Sequence, residues 1–177
     1  IDWIGEIPEH WEIKRVKDVC KKHSKSKLPS RLGNKDGLYD FSVSGKNIKK
    51  INTFSEIEEK ILLPTGGSFH VHYGKKYYSY STDILAITSK DIVTQRYIYY
   101  FLKSFEEKYN ELFFYGTGLK HLNVKKLFSS LFSSPPIDEQ KAIADYLDKE
   151  TSIIDKEIDL LINQTEEEYH QMHKNLS

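Results

Sequence analysis

Residues 135–147 have the sequence PPIDEQKAIADYL, and this stretch divides the chain into two parts of different character. The two prolines interrupt regular structure, because proline lacks an amide hydrogen and restricts the residue before it. After them, neither proline nor glycine occurs from Asp138 to Leu176. The stretch therefore predicts a boundary at Pro135 and one long helix over residues 136–177.

Apolar side chains recur along this segment at alternating spacings of four and three residues, which is typical of a helix that pairs with another helix. A helix of this length would extend roughly 58 Å at 1.5 Å per residue, which is too long to lie wholly on a small domain. We therefore expect a second helix as its partner, in the same polypeptide or in another chain. The residues expected to form the pairing seam are Ile143, Leu147, Ile154, Ile158, Leu161 and Met172.

The net charge of zero conceals two oppositely charged parts. Residues 1–135 contain 22 Lys or Arg and 15 Asp or Glu, whereas residues 136–177 contain 4 and 11. The resulting charges are +7 and −7, and the basic excess is concentrated in residues 14–50. A neutral total is unusual for a protein that coats nucleic acid, but the asymmetry permits a basic surface on the first part.

Short apolar and alternating runs in residues 1–135 predict a β-rich domain. We expect strands over residues 38–44, 60–63, 68–74, 77–80 and 84–87, and helices over residues 13–20 and 94–110. Tyr97, Phe101 and Phe105 follow a helical spacing and are interpreted as core. The predicted fold class is α+β, with a globular domain over residues 1–135 and a coiled-coil-type helix over residues 136–177.

Basic and amide side chains on the predicted loops form the candidate nucleic-acid contacts. Lysine and arginine attract phosphates, while Asn, Arg and Lys can also donate to base edges. Ser68, His70 and His72 alternate along one predicted strand face, and Lys75-Lys76 lies at a predicted hairpin tip. For any single lysine, a role in solubility alone is the simpler explanation. The residues expected to contact DNA are Lys25, Lys27, Arg31, Lys46, Asn47, Ser68, His70, His72, Lys75, Lys76, Tyr77, Lys120 and His121.

Catalytic and cofactor sites have little support in the sequence. His70 and His72 could share a strand face as metal ligands, but at least one further ligand would be needed. Cys20 is interpreted as a buried thiol, and neither Gly66-Gly67 nor Gly116-x-Gly118 has the Gly-Lys-Ser/Thr ending of a phosphate-binding loop. We expect no catalysis and no cofactor. With a single cysteine and no apolar run of membrane-spanning length, we expect a cytoplasmic protein.

Several segments in order resemble one half of the specificity subunit of a type I restriction–modification system. They are IPEHWEIKRVKDV at the start, GTGLKHLNVKKL at residues 116–127, and SSPPIDEQKAIADYLDKETSIIDKEID, which leads into the long helix. The resemblance implies a target recognition domain that contacts one half of a two-part DNA site. It also implies a helix that sets the spacing between the halves, and it implies methyltransferase and restriction subunits as partners.

Only one such half is present in the sequence. The chain could be a fragment of a tandem subunit or a half-subunit that forms a homodimer through its helix, and the second case implies a palindromic two-part site. A different interpretation is a protein-interaction module that dimerises through the helix and does not bind DNA. A third, a nuclease or metal-dependent hydrolase that uses His70 and His72, has the weakest support.

Overall fold

The structure is a computed structural model that describes residues 4–174, with side chains through Tyr169 and that of Gln171. Within this range the chain forms eleven short strands and five α-helices. The strands are β1 Glu12–Arg15, β2 Cys20–Lys22, β3 Tyr39–Ser42, β4 Lys49–Ile51, β5 Lys60–Pro64, β6 His72–Gly74, β7 Tyr78–Tyr80, β8 Ile84–Ser89, β9 Phe114–Tyr115, β10 His121–Leu122 and β11 Leu131–Ser134. The helices are α1 Val16–Val19, α2 Ile92–Ser104, α3 Glu106–Phe113, α4 Val124–Ser129 and α5 Ile137–Lys174, and residues Ser30–Leu32 form a 3₁₀ turn.

Two sheets organise the β-rich part. The larger is antiparallel with strand order β2-β8-β5-β6, and the smaller has the order β4-β3-β7. In the smaller sheet β3 pairs antiparallel with β4 and parallel with β7. Two further antiparallel pairs join β1 to β11 and β9 to β10. Three of these pairings join consecutive strands, whereas β1-β11, β2-β8, β5-β8 and β3-β7 join strands that are distant in the sequence.

The core follows from apolar runs in the central strands. All five residues of β5 are buried, as expected for a strand that is covered on both faces. Leu62, Tyr78, Tyr80 and Ile84 form one buried cluster. In the smaller sheet a second cluster consists of Phe41, Val43 and Ile51, with Leu28 and Tyr39 packed against it.

Helix α2 packs on this core through the predicted aromatic stripe. Tyr97 and Phe101 are buried, and the Tyr97 hydroxyl donates to the carbonyl of Ser133 at 2.9 Å. Asp91 caps the helix by accepting from the Thr94 amide at 2.7 Å. The prediction of one helix over residues 94–110 is wrong in one respect, because the backbone leaves helical geometry at Phe105 and α3 follows.

Two other local predictions are corrected. Residues 13–20 form a strand and a single helical turn instead of a helix, since β1 pairs with β11. Strands β6 and β7 do not form a hairpin, because β6 pairs with β5 and β7 pairs with β3. Lys75-Lys76 therefore lies on a link between the two sheets and not at a hairpin tip.

The chain divides into two compact units, one through Lys141 and one from Ala142 onward. The boundary falls inside α5, whose 38 residues agree with the long helix expected after Pro136. None of the helices within residues 4–174 has the length and apolar character needed to cross a membrane.

Candidate nucleic-acid interface

Five loops meet at the carboxyl ends of β3, β5 and β7. The Thr65 amide and the Ser44 hydroxyl both donate to the carbonyl of Asp83, at 2.8 and 3.3 Å. The amide of Thr82 donates to the carbonyl of Leu28 at 2.8 Å, which joins the basic 24–29 loop to the same end. We call residues 24–29, 43–48, 65–68, 81–83 and 116–121 the loop cluster.

Glycines attach the 116–121 loop to the cluster. The Gly67 amide donates to the carbonyl of Lys120 at 2.9 Å, and the Leu122 amide donates to the carbonyl of Thr65 at 3.0 Å. Gly67 and Gly116 have φ angles of +91° and +131°, which L side chains rarely adopt. A Cβ at Gly116 would also lie 3.0 Å from the carbonyl oxygen of Leu119. The two glycine-containing turns therefore have a structural role in bringing Lys120 and His121 to this end.

The loop cluster presents lysines that have no carboxylate partner among residues 4–169. Lys25, Lys27, Lys46 and Lys120 are all exposed, and no ion pair involves them in this part of the chain. In contrast, the Lys50 ammonium lies 2.7 Å from the Asp40 carboxylate. Unpaired ammonium groups can bind phosphates without first breaking an intramolecular ion pair.

Polar side chains of the types that can contact bases lie among these lysines. Asn47, Ser68 and His121 are exposed in three different loops of the cluster. Asparagine can form two hydrogen bonds with adenine, whereas serine can contact several bases. Seven of the thirteen predicted DNA contacts thus share one end of the domain: Lys25, Lys27, Lys46, Asn47, Ser68, Lys120 and His121.

The expectation that His70 and His72 lie on an exposed strand face is wrong. Their exposed fractions are 3% and 7%, and the strand begins only at His72. Alternation along the sequence is consistent with burial of either face of the strand. In the structure Ser42 of the smaller sheet contacts His72, so the histidine face lies against that sheet. Burial lowers the pKa of both imidazoles, with the neighbouring ring and Lys103 adding to the shift at His70 and Glu106 opposing it.

His72 has two hydrogen bonds that fix its tautomer. Its Nε2 lies 2.8 Å from the Lys46 carbonyl oxygen, and its Nδ1 lies 2.7 Å from the Ser42 hydroxyl. A carbonyl can only accept, so Nε2 carries the hydrogen and Nδ1 accepts from Ser42. The buried His72 ring therefore contacts the backbone of the 43–48 loop. No cluster of three or more His, Cys, Asp or Glu side chains suited to a metal occurs in the described part of the chain.

Lys75, Lys76 and Tyr77 lie at the amino ends of β3 and β7, opposite the loop cluster. All three are exposed, and the Lys76 ammonium lies 5.1 Å from the centre of the Tyr77 ring. The Tyr77 ring also contacts Phe54 edge-to-face, with 5.0 Å between ring centres. A four-residue strand separates this segment from the cluster, which corresponds to roughly 13 Å.

Arg31 lies outside the loop cluster. It lies in the 3₁₀ turn and is exposed. The following residues lead to Asn34, which exchanges two backbone hydrogen bonds with Lys50 on the edge strand β4, each 2.9 Å long. The turn is thereby fixed beside the smaller sheet.

The PPIDEQ motif joins the start of α5 to the amino-terminal lead. The Glu139 carboxylate accepts from the Trp11 indole at 2.9 Å and contacts the His10 ring at 2.7 Å. These hydrogen bonds lower the pKa of Glu139. Gln140 is buried and donates to the carbonyl of Pro135 at 2.7 Å. The sequence indicates a boundary and a family signature at this motif, and the structure adds specific partners for its acid and its amide.

Helix α5 exposes a row of large apolar side chains. Ile154, Ile158 and Leu161 are 52%, 48% and 62% exposed, whereas Ile143 and Leu147 are partly buried. The side chain of Met172 lies outside the described residues. Two threonines interrupt the row, and each hydroxyl bonds to a carbonyl of its own helix, Thr151 to Leu147 at 2.7 Å and Thr165 to Leu161 at 2.8 Å. Because each hydroxyl already has an acceptor in its own helix, neither would need a further partner if another helix covered the row.

Comparison with known proteins shows which family has this arrangement. Residues 8–164 match the model of the type I restriction modification DNA specificity domain. The chain belongs to this family. The match extends from the amino-terminal lead into the long helix, so the resemblance predicted from the motifs is confirmed.

Relatives of this specificity family agree with the assignment. The type I restriction enzyme MjaVIII specificity subunit of Methanocaldococcus jannaschii is 30% identical over 172 residues, which cover 88% of this chain and 40% of that subunit. The S subunit of the M. genitalium type I restriction–modification system matches with a TM-score of 0.65 at 22% identity, over 82% of this chain and 39% of that one. The HsdS subunit of Thermoanaerobacter tengcongensis matches with a TM-score of 0.58 at 16% identity, over 86% and 40%.

The structural matches confirm the α+β class with a long carboxyl-terminal helix. At these identities they show the fold and not the contacts. The chain spans about two fifths of the length of the relatives it matches. The eleven exposed residues among the predicted DNA contacts, and the helix seam, remain predictions, whereas His70 and His72 are buried.

Proposed function

We propose that this chain recognises one half of a two-part DNA site through its loop cluster. The observation that carries the proposal is the convergence of loops from five parts of the sequence on one end of the domain. These loops present four exposed lysines without carboxylate partners in the described part of the chain. Membership of a DNA specificity family supplies the class of ligand.

The two kinds of side chain in the cluster would have different tasks. Lys25, Lys27, Lys46 and Lys120 would bind phosphates and set the orientation of the duplex, which contributes affinity without sequence preference. Asn47 and His121 would contact base edges and provide the preference. The strand that separates Lys75 and Lys76 from the loop cluster is roughly 13 Å long, which is close to the ~12 Å width of a major groove. These two lysines would therefore bind phosphates farther along the duplex.

Helix α5 would pair with the helix of a second specificity half. The exposed row through Ile154, Ile158 and Leu161 provides the apolar surface, and the second half would belong to the same polypeptide or to a second copy. The helix would set the distance between the two half-sites. Methyltransferase and restriction subunits would assemble on the complete specificity subunit, and this chain would contribute recognition without catalysis.

Selection from a randomised duplex library tests the proposal. Purified full-length protein, together with its methyltransferase partner, is incubated with the library at low salt, and the bound duplexes are sequenced. We expect enrichment of a short motif, or of two motifs at fixed spacing when two halves are present. Absence of binding in the assembled complex would refute DNA recognition and favour the protein-interaction module.

A further inference from the structure

The 43–48 loop carries Lys46 and Asn47, and few contacts hold its outer part. Gly45 allows wide backbone freedom, and a side chain there would meet only Val43, at 4.0 Å. On one side of this glycine the Ser44 hydroxyl bonds to Asp83. On the other side lies the bond from His72 to the Lys46 carbonyl. The imidazole is therefore a main constraint on the Lys46–Asn47 peptide.

A hydrogen bond to the Lys46 carbonyl also orients the next residue. The peptide unit is planar, so a fixed carbonyl fixes the plane that contains the Asn47 amide and Cα. The direction in which the Asn47 side chain leaves the backbone depends on that plane. His72 is itself held firmly, since it is buried and its second nitrogen accepts from Ser42 on β3.

We infer that His72 is a positioning residue for DNA recognition, which orients Asn47 through the Lys46 carbonyl without touching DNA. The inference rests on the proposed function of the loop cluster. It assigns to a buried histidine a role in sequence preference and leaves phosphate affinity to the exposed lysines. Loss of the Nε2 bond would let the peptide rotate, so Asn47 would contact cognate and other bases with similar energy.

Two substitutions separate the two hydrogen bonds of His72. In His72→Gln the amide nitrogen occupies nearly the position of Nε2 and can still donate to the Lys46 carbonyl. In His72→Asn the side-chain oxygen occupies nearly the position of Nδ1, so the Ser42 bond is kept and the Lys46 bond is lost. Both variants replace the ring by a smaller amide, with Asn one methylene shorter than Gln, and each keeps a different one of the two hydrogen bonds.

The readout is the ratio of affinities for the selected duplex and for the same duplex with its motif scrambled. We expect His72→Asn to reduce this ratio about tenfold and His72→Gln to keep it within about threefold, with scrambled-duplex affinity unchanged in both. Thermal melts show whether each variant is folded. Equal ratios in His72→Asn and wild type, or equal losses in both variants, would overturn the inference.

Hydrogen exchange provides a second readout that needs no DNA. We expect faster amide exchange over residues 44–48 in His72→Asn than in His72→Gln, and equal exchange in the two would also overturn the inference. If wild-type protein showed no preference for any selected duplex, the proposed function itself would fail. A preference in the wild type that His72→Asn retains would refute only the positioning role.

Discussion

Replacing Lys46 and Lys120 by glutamine should weaken DNA binding and reduce its salt dependence. Both ammonium groups are exposed, lie on different loops of the cluster and have no carboxylate partner in the described chain. Each phosphate contact changes the slope of log K against log salt by about 0.9. The four lysines of the cluster therefore supply a slope of about 3.6, and the double variant should lose about 1.8 of it.

The same relation gives the change in affinity. If both proteins bind equally at 1 M salt, a slope difference of about 1.8 corresponds to about 60-fold weaker binding at about 0.1 M salt. Between about 50 and about 200 mM salt, wild type should lose about 12-fold more affinity than the variant does. A scrambled duplex suffices for this measurement, because phosphate contacts carry no direct sequence information.

Fluorescence anisotropy titrations at four or more salt concentrations provide the slopes. The matched control is Lys14→Gln with Lys108→Gln, which changes the net charge equally. These lysines are paired with Glu12 at 2.8 Å and Glu111 at 3.0 Å. Equal slopes for wild type and the Lys46/Lys120 variant, or equal losses in the control, would refute binding through the loop cluster.

Three further predictions concern other parts of the chain. Ile154→Asp with Leu161→Asp should abolish helix pairing because charge is placed on the apolar row, and light scattering should show a lower mass; an unchanged mass would contradict the seam. Lys75→Gln with Lys76→Gln should weaken binding and reduce the salt slope, and unchanged affinity would remove this link from the interface. The two buried histidines have folded-state pKa values below the ordinary 6.5. The unfolded chain therefore binds more protons below pH 6.5, so melting temperatures should decrease from pH 7 toward pH 5, and less steeply in His72→Gln.

Local signals in the sequence predicted the parts of the fold that depend on neighbouring residues. The continuous apolar run gave β5, the helical spacing of Tyr97, Phe101 and Phe105 gave α2, and the absence of proline and glycine gave α5. The aromatic stripe on α2 was assigned to the core for the same reason. In each case, the hydrophobic period and the absence of helix-breaking residues act within a few turns or one strand.

Pairings between distant segments were not predictable from those signals. Strand β7 pairs in parallel with β3, which is almost forty residues earlier, and no turn residue between them specifies this. The false hairpin at Lys75-Lys76 followed from treating consecutive strands as partners. The burial of His72 was not predicted for a related reason. Period-two alternation defines the two faces of a strand but does not show which of them another sheet covers.

For the candidate site, too, residue type and topology supply different information. Residue type selected exposed Lys46, Asn47 and Lys120 from the sequence, but only the fold shows that their loops share one end. The fold also changes the interpretation of Gly66-Gly67 and Gly116-x-Gly118, which lack the signature of a phosphate-binding loop. The two glycine-containing turns are joined by backbone hydrogen bonds.

The opposed charges of the two sequence segments acquire a physical interpretation from these contacts. Residues 136–177 have a net charge of −7, which disfavours contact with phosphates, and their exposed apolar row favours a protein partner. The threonines within that row already bond to their own helix, so covering them would leave no hydroxyl unsatisfied. A surface that repels DNA and can be buried without polar cost suits a helix that holds two recognition halves at a fixed distance. Under the proposed function, the zero total charge is the sum of a basic DNA-facing part and an acidic protein-facing helix, and binding by one half alone should be weaker than binding by a pair.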